Sequence, residues 1–184
     1  MTSLLAIANA DAGTADEEAI SNVMAVLRDL DVELVTTSSP QDLADALGRH
    51  RALDGVVVLG GDGSLHAVVD ALRSAGRLEV VTVGLVPLGT GNDFAATLGL
   101  PDDPVDAARV ITVGRTREID LIVDGQDEVV VNAAHIGIGA EAAKAARPWK
   151  KALGPVGYAV GAVLTGIRGL TTPGARLEIT VDGT

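Results

Sequence analysis

Two rhythms of apolar and polar residues alternate along the chain. Short, nearly unbroken apolar runs end in turns rich in glycine, serine or asparagine. Each run is followed by a stretch in which apolar residues recur every three or four positions. Residues 3–9 (SLLAIAN), 32–37 (VELVTT), 55–60 (GVVVLG) and 79–89 (EVVTVGLVPLG) read as strands. Ile20, Val23, Met24, Leu27 and Leu30 predict a helix over 17–30, and Leu43, Ala44 and Leu47 give a helix over 40–50 its apolar face. A third helix is predicted over 64–75 and a short one over 92–100. Another is predicted over 104–113, with Pro104 suited to its first turn. Strand and helix alternate through about residue 113, the signature of an α/β domain with a doubly wound parallel sheet.

After residue 114 the rhythm changes. REIDLIVDG and DEVVVNAAHIGIG are strand-like runs joined by a hairpin signal at Asp124-Gly125. A helical stretch follows around 152–168, then a strand over 175–184 that halts on Asp182-Gly183. The expected organisation is an α/β domain over 1–114 and, over 115–184, the beginning of a β-rich second domain. A hairpin turn with no returning strand leaves an edge unpaired, so the expectation is a truncated chain with an incomplete second domain.

Composition narrows the class. Hydrophobic residues make up 47% of the 184 and aromatics only 2%, so Val, Leu, Ile and Ala must fill the core. That suits helices packed on a parallel sheet. A formal net charge of −11 and the lack of a basic aromatic platform argue against a nucleic acid partner. The absence of cysteine excludes disulfides, thiolate metal sites and a catalytic thiol, and fits a cytoplasmic location. Residues 1–10 lack the basic region of a signal peptide. The apolar stretch 158–170 is interrupted by Arg168 and falls short of the roughly 20 residues that span a bilayer. Nothing here fixes an oligomeric state, and a homodimer stays open.

The candidate chemistry lies at the strand ends. NADAG, TTSSP, GGDGS and PLGTGND all fall where a predicted strand gives way to a helix, the place where doubly wound folds bind ligands. In Gly60-Gly61-Asp62-Gly63-Ser64 the glycines let a ligand approach the main chain, successive N–H groups can form an anion-binding concavity, and the following helix adds its positive end. Asp62 would repel a bare phosphate, so it fits a polyphosphate that carries a divalent cation. Equally, Asp62 can simply N-cap the helix above a tight turn. The second glycine-rich turn, on the next strand, offers the Thr90 hydroxyl and the side chains of Asn92 and Asp93. There Asp93 can likewise act as a plain helix cap.

GGDGSLHAVVDAL and PLGTGNDFAATLGLP, taken together and in order, resemble the diacylglycerol kinase catalytic domain family, which includes bacterial lipid kinases and sphingosine kinases. NADAG resembles the first phosphate-loop motif of that family, with Ala10 where proline is usual. Ser64 stands in place of the usual threonine and keeps the hydroxyl, and Ala96 replaces a frequent arginine. REIDLIV, VVNAAHIGIGAE and KKALGPVGYAV resemble its passage into the second domain. The resemblance implies a nucleotide cleft and ATP with Mg²⁺. The ATP phosphates are expected at Asn9, Ala10, Asp11, Ala12 and Gly13, at Gly60, Gly61, Asp62, Gly63, Ser64, Leu65 and His66, and at Thr90, with Thr37 near the nucleotide. Asp62 is the candidate contact to the metal, through the nucleotide. The acceptor is a lipid hydroxyl, diacylglycerol first and a sphingoid base second, met at a membrane surface by a peripherally associated enzyme. The general base and a structural magnesium site are expected beyond Thr184. An NAD kinase, whose family shares the GGDG turn, and a nucleotide-binding module without catalysis are the alternatives.

Other signals are weaker. Gly137-x-Gly139-x-x-Ala142 follows a strand-like run and matches the dinucleotide fingerprint, but no acidic residue follows at the required distance of about 20. His50, His66 and His135 show no metal-ligand spacing. KAARPWKK is a basic cluster, with Lys144, Arg147, Lys150 and Lys151 around Trp149. It reads either as a membrane-surface contact or as a solvated loop with the indole folded onto the core.

Overall fold

Four parallel strands, β1 (Ser3–Asn9), β2 (Asp31–Thr37), β3 (Gly55–Gly60) and β4 (Thr82–Pro87), form one sheet in the order β2-β1-β3-β4. The computed structural model describes residues 3–10, 14–123 and 129–131. All of them fall within a unit spanning Met1–Asn132. Five helices accompany the strands: α1 (Thr14–Leu27), α2 (Pro40–Arg49), α3 (Asp62–Ser74), α4 (Asp93–Leu98) and α5 (Pro104–Val113).

The unbroken apolar runs of β1 and β3 are explained by burial on both faces. Leu5 and Ile7, Val56 and Val58, and Leu85 point to one side, where Leu43 and Leu47 of α2 and Leu65, Val68, Val69 and Leu72 of α3 cover them. Ala6 and Ala8, Val57 and Leu59, and Val86 point to the other side, toward Val23 and Leu27 of α1 and Ala107 and Ala108 of α5. Small residues let α5 come close: a Cβ on Gly84 would lie 3.1 Å from Ile111 Cδ1. β2 is an edge strand whose positions are half-buried or exposed, none of them fully buried. The doubly wound parallel sheet expected from the alternation is present.

Local chemistry sets the helix ends. Ser39 caps α2, its hydroxyl accepting from the Asp42 N–H at 3.1 Å. The Ser38 hydroxyl donates to the Asp42 carboxylate at 2.5 Å and the Ser38 N–H donates at 3.1 Å, which together hold that carboxyl below its ordinary value. The resulting stabilisation is present at neutral pH and is lost as pH falls through the depressed folded-state value. Asp103 caps α5 by accepting from the Val105 and Asp106 N–H groups at 2.9 Å each, and Gly114 closes the helix in the left-handed conformation.

The structure moves several expected boundaries. α1 begins at Thr14 and ends at Leu27, so it is shifted toward the N-terminus from 17–30. α3 begins at Asp62 rather than Ser64, because the Ser64 and Leu65 N–H groups both close on the Gly61 carbonyl at 3.0 Å. β4 starts at Thr82 rather than Glu79. The N–H groups of Val80 and Val81 turn back to the Arg77 carbonyl at 3.1 Å, so the ladder with Gly55 starts only at Thr82. On α2 it is Ala46, not Ala44, that joins Leu43 and Leu47 in the buried face, and Ala44 is exposed. Beyond α5, β5 (Ile122–Val123) pairs antiparallel with β6 (Val129–Val130), and Val129 is buried in the core on the α3 side. The turn at Asp124-Gly125, the expected helix over 152–168, the strand over 175–184, His135 and the basic cluster at 144–151 lie outside the described residues.

The connection from β1 leads to β2 at one edge. The connection from β2 passes back to β3 on the far side of β1. The carboxyl ends of β1 and β3 therefore flank the point where the winding reverses, the crevice in which such sheets receive ligands. Beside it the β3–α3 and β4–α4 connections run in backbone contact. A Cβ on Gly89 would lie 2.7 Å from Gly61 Cα, and one on Gly61 would lie 3.0 Å from Gly89 Cα.

Two outcomes follow from this packing. Leu72→Ala, at a fully buried position, is expected to destabilise the fold by about 2–5 kcal/mol in denaturant unfolding. A loss below about 1 kcal/mol would mean that α3 is not seated on the sheet as described. Gly89→Ala forces the two connections apart and is expected to destabilise by about 1–3 kcal/mol. An unchanged midpoint would contradict their contact.

Candidate functional site

A cavity of about 190 Å³ opens at the switch point, walled by Asn9, Asp16, Ile20, Leu59, Gly60, Gly61, Ser64, Leu88 and Gly89. Strand ends supply Asn9 from β1 and Leu59 and Gly60 from β3. α1 contributes Asp16 and Ile20, α3 contributes Ser64, and Leu88 and Gly89 belong to the β4–α4 connection. The volume lies below the roughly 300–1,000 Å³ of pockets that enclose a whole drug-sized ligand. It suits a small polar group, such as part of a phosphate chain, with the rest of a ligand outside.

The wall is chemically lopsided. On the α3 side, Ser64 and Leu65 use the Gly61 carbonyl, which leaves the N–H groups of Asp62 and Gly63 without an intrahelical acceptor at the positive end of a 13-residue helix. Ser64 adds a hydroxyl, packed so closely over Gly60 that a Cβ there would meet its Oγ at 2.5 Å. Asp16, in the first turn of α1, belongs to the same wall. The α3 end favours an anion, and a carboxylate on the wall suits a phosphate group accompanied by a cation.

The second glycine turn is arranged differently. α4 has six residues, and its N-terminus is already occupied. The two carboxylate oxygens of Asp62 accept from the Asp93 N–H at 3.1 Å and from the Phe94 N–H at 3.0 Å. Asn92 sits in the left-handed region at φ 54°. Its side chain closes on Gly89, accepting from the Gly89 N–H at 3.0 Å and donating to the Gly89 carbonyl at 2.7 Å. Asp62 therefore does not cap its own helix: Gly61 is the N-cap of α3, without a side-chain hydrogen bond. Nor does Asp93 cap α4, for it is the first helical residue and its N–H is one of those that Asp62 receives.

Of the residues expected to meet a nucleotide, Asn9, Gly60, Gly61 and Ser64 share the cavity wall. Asp62 and Gly63 stand beside it and offer main-chain N–H groups. Thr37 ends β2 outside the wall and uses its carbonyl to accept the Ala10 N–H at 3.0 Å, which ties the start of the first phosphate loop to the sheet. Thr90 is exposed outside the wall. Leu65 is not part of the wall: its side chain is buried in the core and its N–H is bonded to the Gly61 carbonyl. His66 is exposed on α3 and is not part of the wall. Asp11, Ala12 and Gly13 lie outside the described residues.

Sequence reasoning missed Asp16, Ile20, Leu59, Leu88 and Gly89. Gly89 stood inside the PLGTGND signal. Asp16 lies one turn past NADAG, in the acidic run that the apolar spacing assigned to a helix beginning later. Among the described residues no three His, Asp or Glu side chains come together as a metal-binding set. The donor groups fit a phosphate, and a metal ion would be held mainly by that phosphate.

Three comparisons bear on this geometry. The profile of the diacylglycerol kinase catalytic domain matches residues 3–123. The protein named "Probable lipid kinase YegS" of Escherichia fergusonii is 30% identical over 152 residues, covering 80% of this chain and 51% of that protein. "Probable lipid kinase YegS-like" of Chromohalobacter salexigens is 35% identical over 106 residues, covering 57% of this chain and 34% of its own length. The crystal structure of a diacylglycerol kinase from Bacillus anthracis strain Sterne superposes with a TM-score of 0.57 at 28% identity, covering 65% of this chain and 44% of that one. The matched part of the chain thus spans about half or less of the length of these relatives. With a parallel four-stranded sheet, a glycine-walled cavity at its switch point and a profile match across most of the described residues, the chain belongs to the diacylglycerol kinase catalytic domain family.

Proposed function

We propose that the chain is the nucleotide-binding part of an ATP-dependent lipid kinase that transfers the γ-phosphate to a lipid hydroxyl, with diacylglycerol as the first candidate acceptor. The observation that carries this reading is the cavity at the switch point, where the N-terminal N–H groups of α3 and the Ser64 hydroxyl meet the end of β1. Phosphoryl transfer depends mainly on positioning and on neutralising charge on the transferred group, and this wall supplies main-chain donors for both. Magnesium, carried on the phosphates, would supply the remaining positive charge. In this reading Asn9 and Ser64, both on the cavity wall, orient the phosphate chain, and Thr90, exposed beyond the wall, meets it outside. Asp16 is the carboxylate of the cavity wall, and the Asp62 carboxylate, beside it, is turned to the start of α4.

The lipid-side region from residue 115 onward and the general base beyond Thr184 belong to the same proposal. So does peripheral attachment to a membrane through Lys144, Arg147, Trp149, Lys150 and Lys151. Among the described residues no helix is long and apolar enough to cross a membrane. Both named relatives carry lipid kinase names, which supports a lipid acceptor over NAD.

The test is transfer of labelled phosphate from ATP by the protein in its full-length form. Diacylglycerol vesicles are expected to be phosphorylated and NAD is not; the reverse pattern would replace this reading by an NAD kinase. Ser64→Ala is expected to weaken Mg-ATP binding about tenfold at unchanged thermal stability, since one hydrogen bond to a charged group is lost. Ser64→Thr should bind as the parent does, and equal affinities in all three would remove Ser64 from the site. Lys150→Glu combined with Lys151→Glu should weaken binding to anionic vesicles, and unchanged binding would end the membrane assignment of that cluster.

A further inference from the structure

The carboxylate between the glycines of GGDGS bonds to the other loop. Asp62 Oδ2 and Oδ1 accept from consecutive N–H groups of α4, at 3.1 and 3.0 Å. Two further links join the same loops. The Leu88 N–H donates to the Gly60 carbonyl at 3.2 Å, and Gly61 and Gly89 touch through their backbones. Asn92, the single non-glycine residue with positive φ among the described residues, then fastens Gly89 from the α4 side.

We propose that Asp62 is a positioning residue that locks the two glycine loops into one unit, and that it also decides which helix end receives phosphate. A carboxylate seated on the α4 N-terminus satisfies two of its unpaired donors and offsets its positive end. Of these two helix ends, only that of α3 is left to an anion, through the Asp62 and Gly63 N–H groups, which have no intrahelical acceptor. The same carboxylate fixes Gly89, part of the cavity wall, relative to Gly60 and Ser64. The phosphate-binding part of this inference rests on the function proposed above; the lock itself does not.

Asp62→Asn separates these roles, because the amide keeps one acceptor oxygen but turns an N–H donor toward the α4 N–H groups. Amide hydrogen exchange in segment 89–98 is expected to accelerate about tenfold or more, given the strength of hydrogen bonds to a charged acceptor. Exchange in 65–72, in the buried part of α3, should stay as in the parent. In the full-length enzyme kcat should fall at least tenfold while the Mg²⁺ concentration for half-maximal activity shifts less than twofold. Asp62→Glu should restore exchange protection partly. Unchanged exchange in 89–98 would overturn the lock, whether or not the protein is a kinase. Faster exchange together with a large rise in the Mg²⁺ requirement would overturn the positioning role in favour of direct metal contact. Failure of the parent to bind Mg-ATP, with exchange behaving as expected, would refute the function and the choice of helix end while leaving the lock standing.

Discussion

The site depends on two stretches of main chain lying against each other with no side chain between them. Gly61 and Gly89 make that contact possible, since a methyl group on either would fall within about 3 Å of the opposite Cα. Everything that gives the cavity its shape follows from it. The Gly60 carbonyl receives the Leu88 N–H, Asp62 reaches the start of α4, and Ser64 is left facing the open side next to Gly60. A larger residue at either glycine would separate the walls before any ligand arrived.

The rest of the fold holds these loops in register. β1 and β3 are buried on both faces, and the carboxyl end of each lies at the reversal of winding. α3 is anchored by Leu65, Val68, Val69 and Leu72, so its N-terminus is held rigidly beside the cavity. Rigidity matters because donors that are already aimed need little rearrangement as charge develops on a transferred group. The net charge of −11 makes such local donors more important, as the overall field of the chain repels a phosphate.

Much of this was legible in the sequence. Apolar runs without alternation announced strands covered on both sides, and glycine clusters at their ends marked the edge where the cavity opens. The resemblance of GGDGS and PLGTGND to a kinase family was matched by the profile over 3–123. The role of Asp62 was not legible, because a carboxylate beside a helix start looks the same whether it caps its own helix or one 31 residues away. Only the sheet, by setting β3 beside β4, brings those positions together. Asp16 was hidden for a related reason. Apolar spacing located the buried face of α1, but the first turn, Thr14 to Glu17, carries no apolar residue larger than Ala15 and so left the true start of the helix unmarked. Ala44 and Ala46 were exchanged because two alanines on neighbouring sides of a helix differ little in hydrophobicity, and the packing against α3 makes the choice.

The most direct measurement is a crystal structure of the full-length protein with a non-hydrolysable ATP analogue and Mg²⁺. Phosphate oxygens are expected within hydrogen-bond distance of the Asp62 and Gly63 N–H groups and of Ser64 Oγ, with the Asp62 carboxylate still bonded to the Asp93 and Phe94 N–H groups. A triphosphate seated on the α4 N-terminus with Asp62 swung away, or bound elsewhere on the chain, would contradict it.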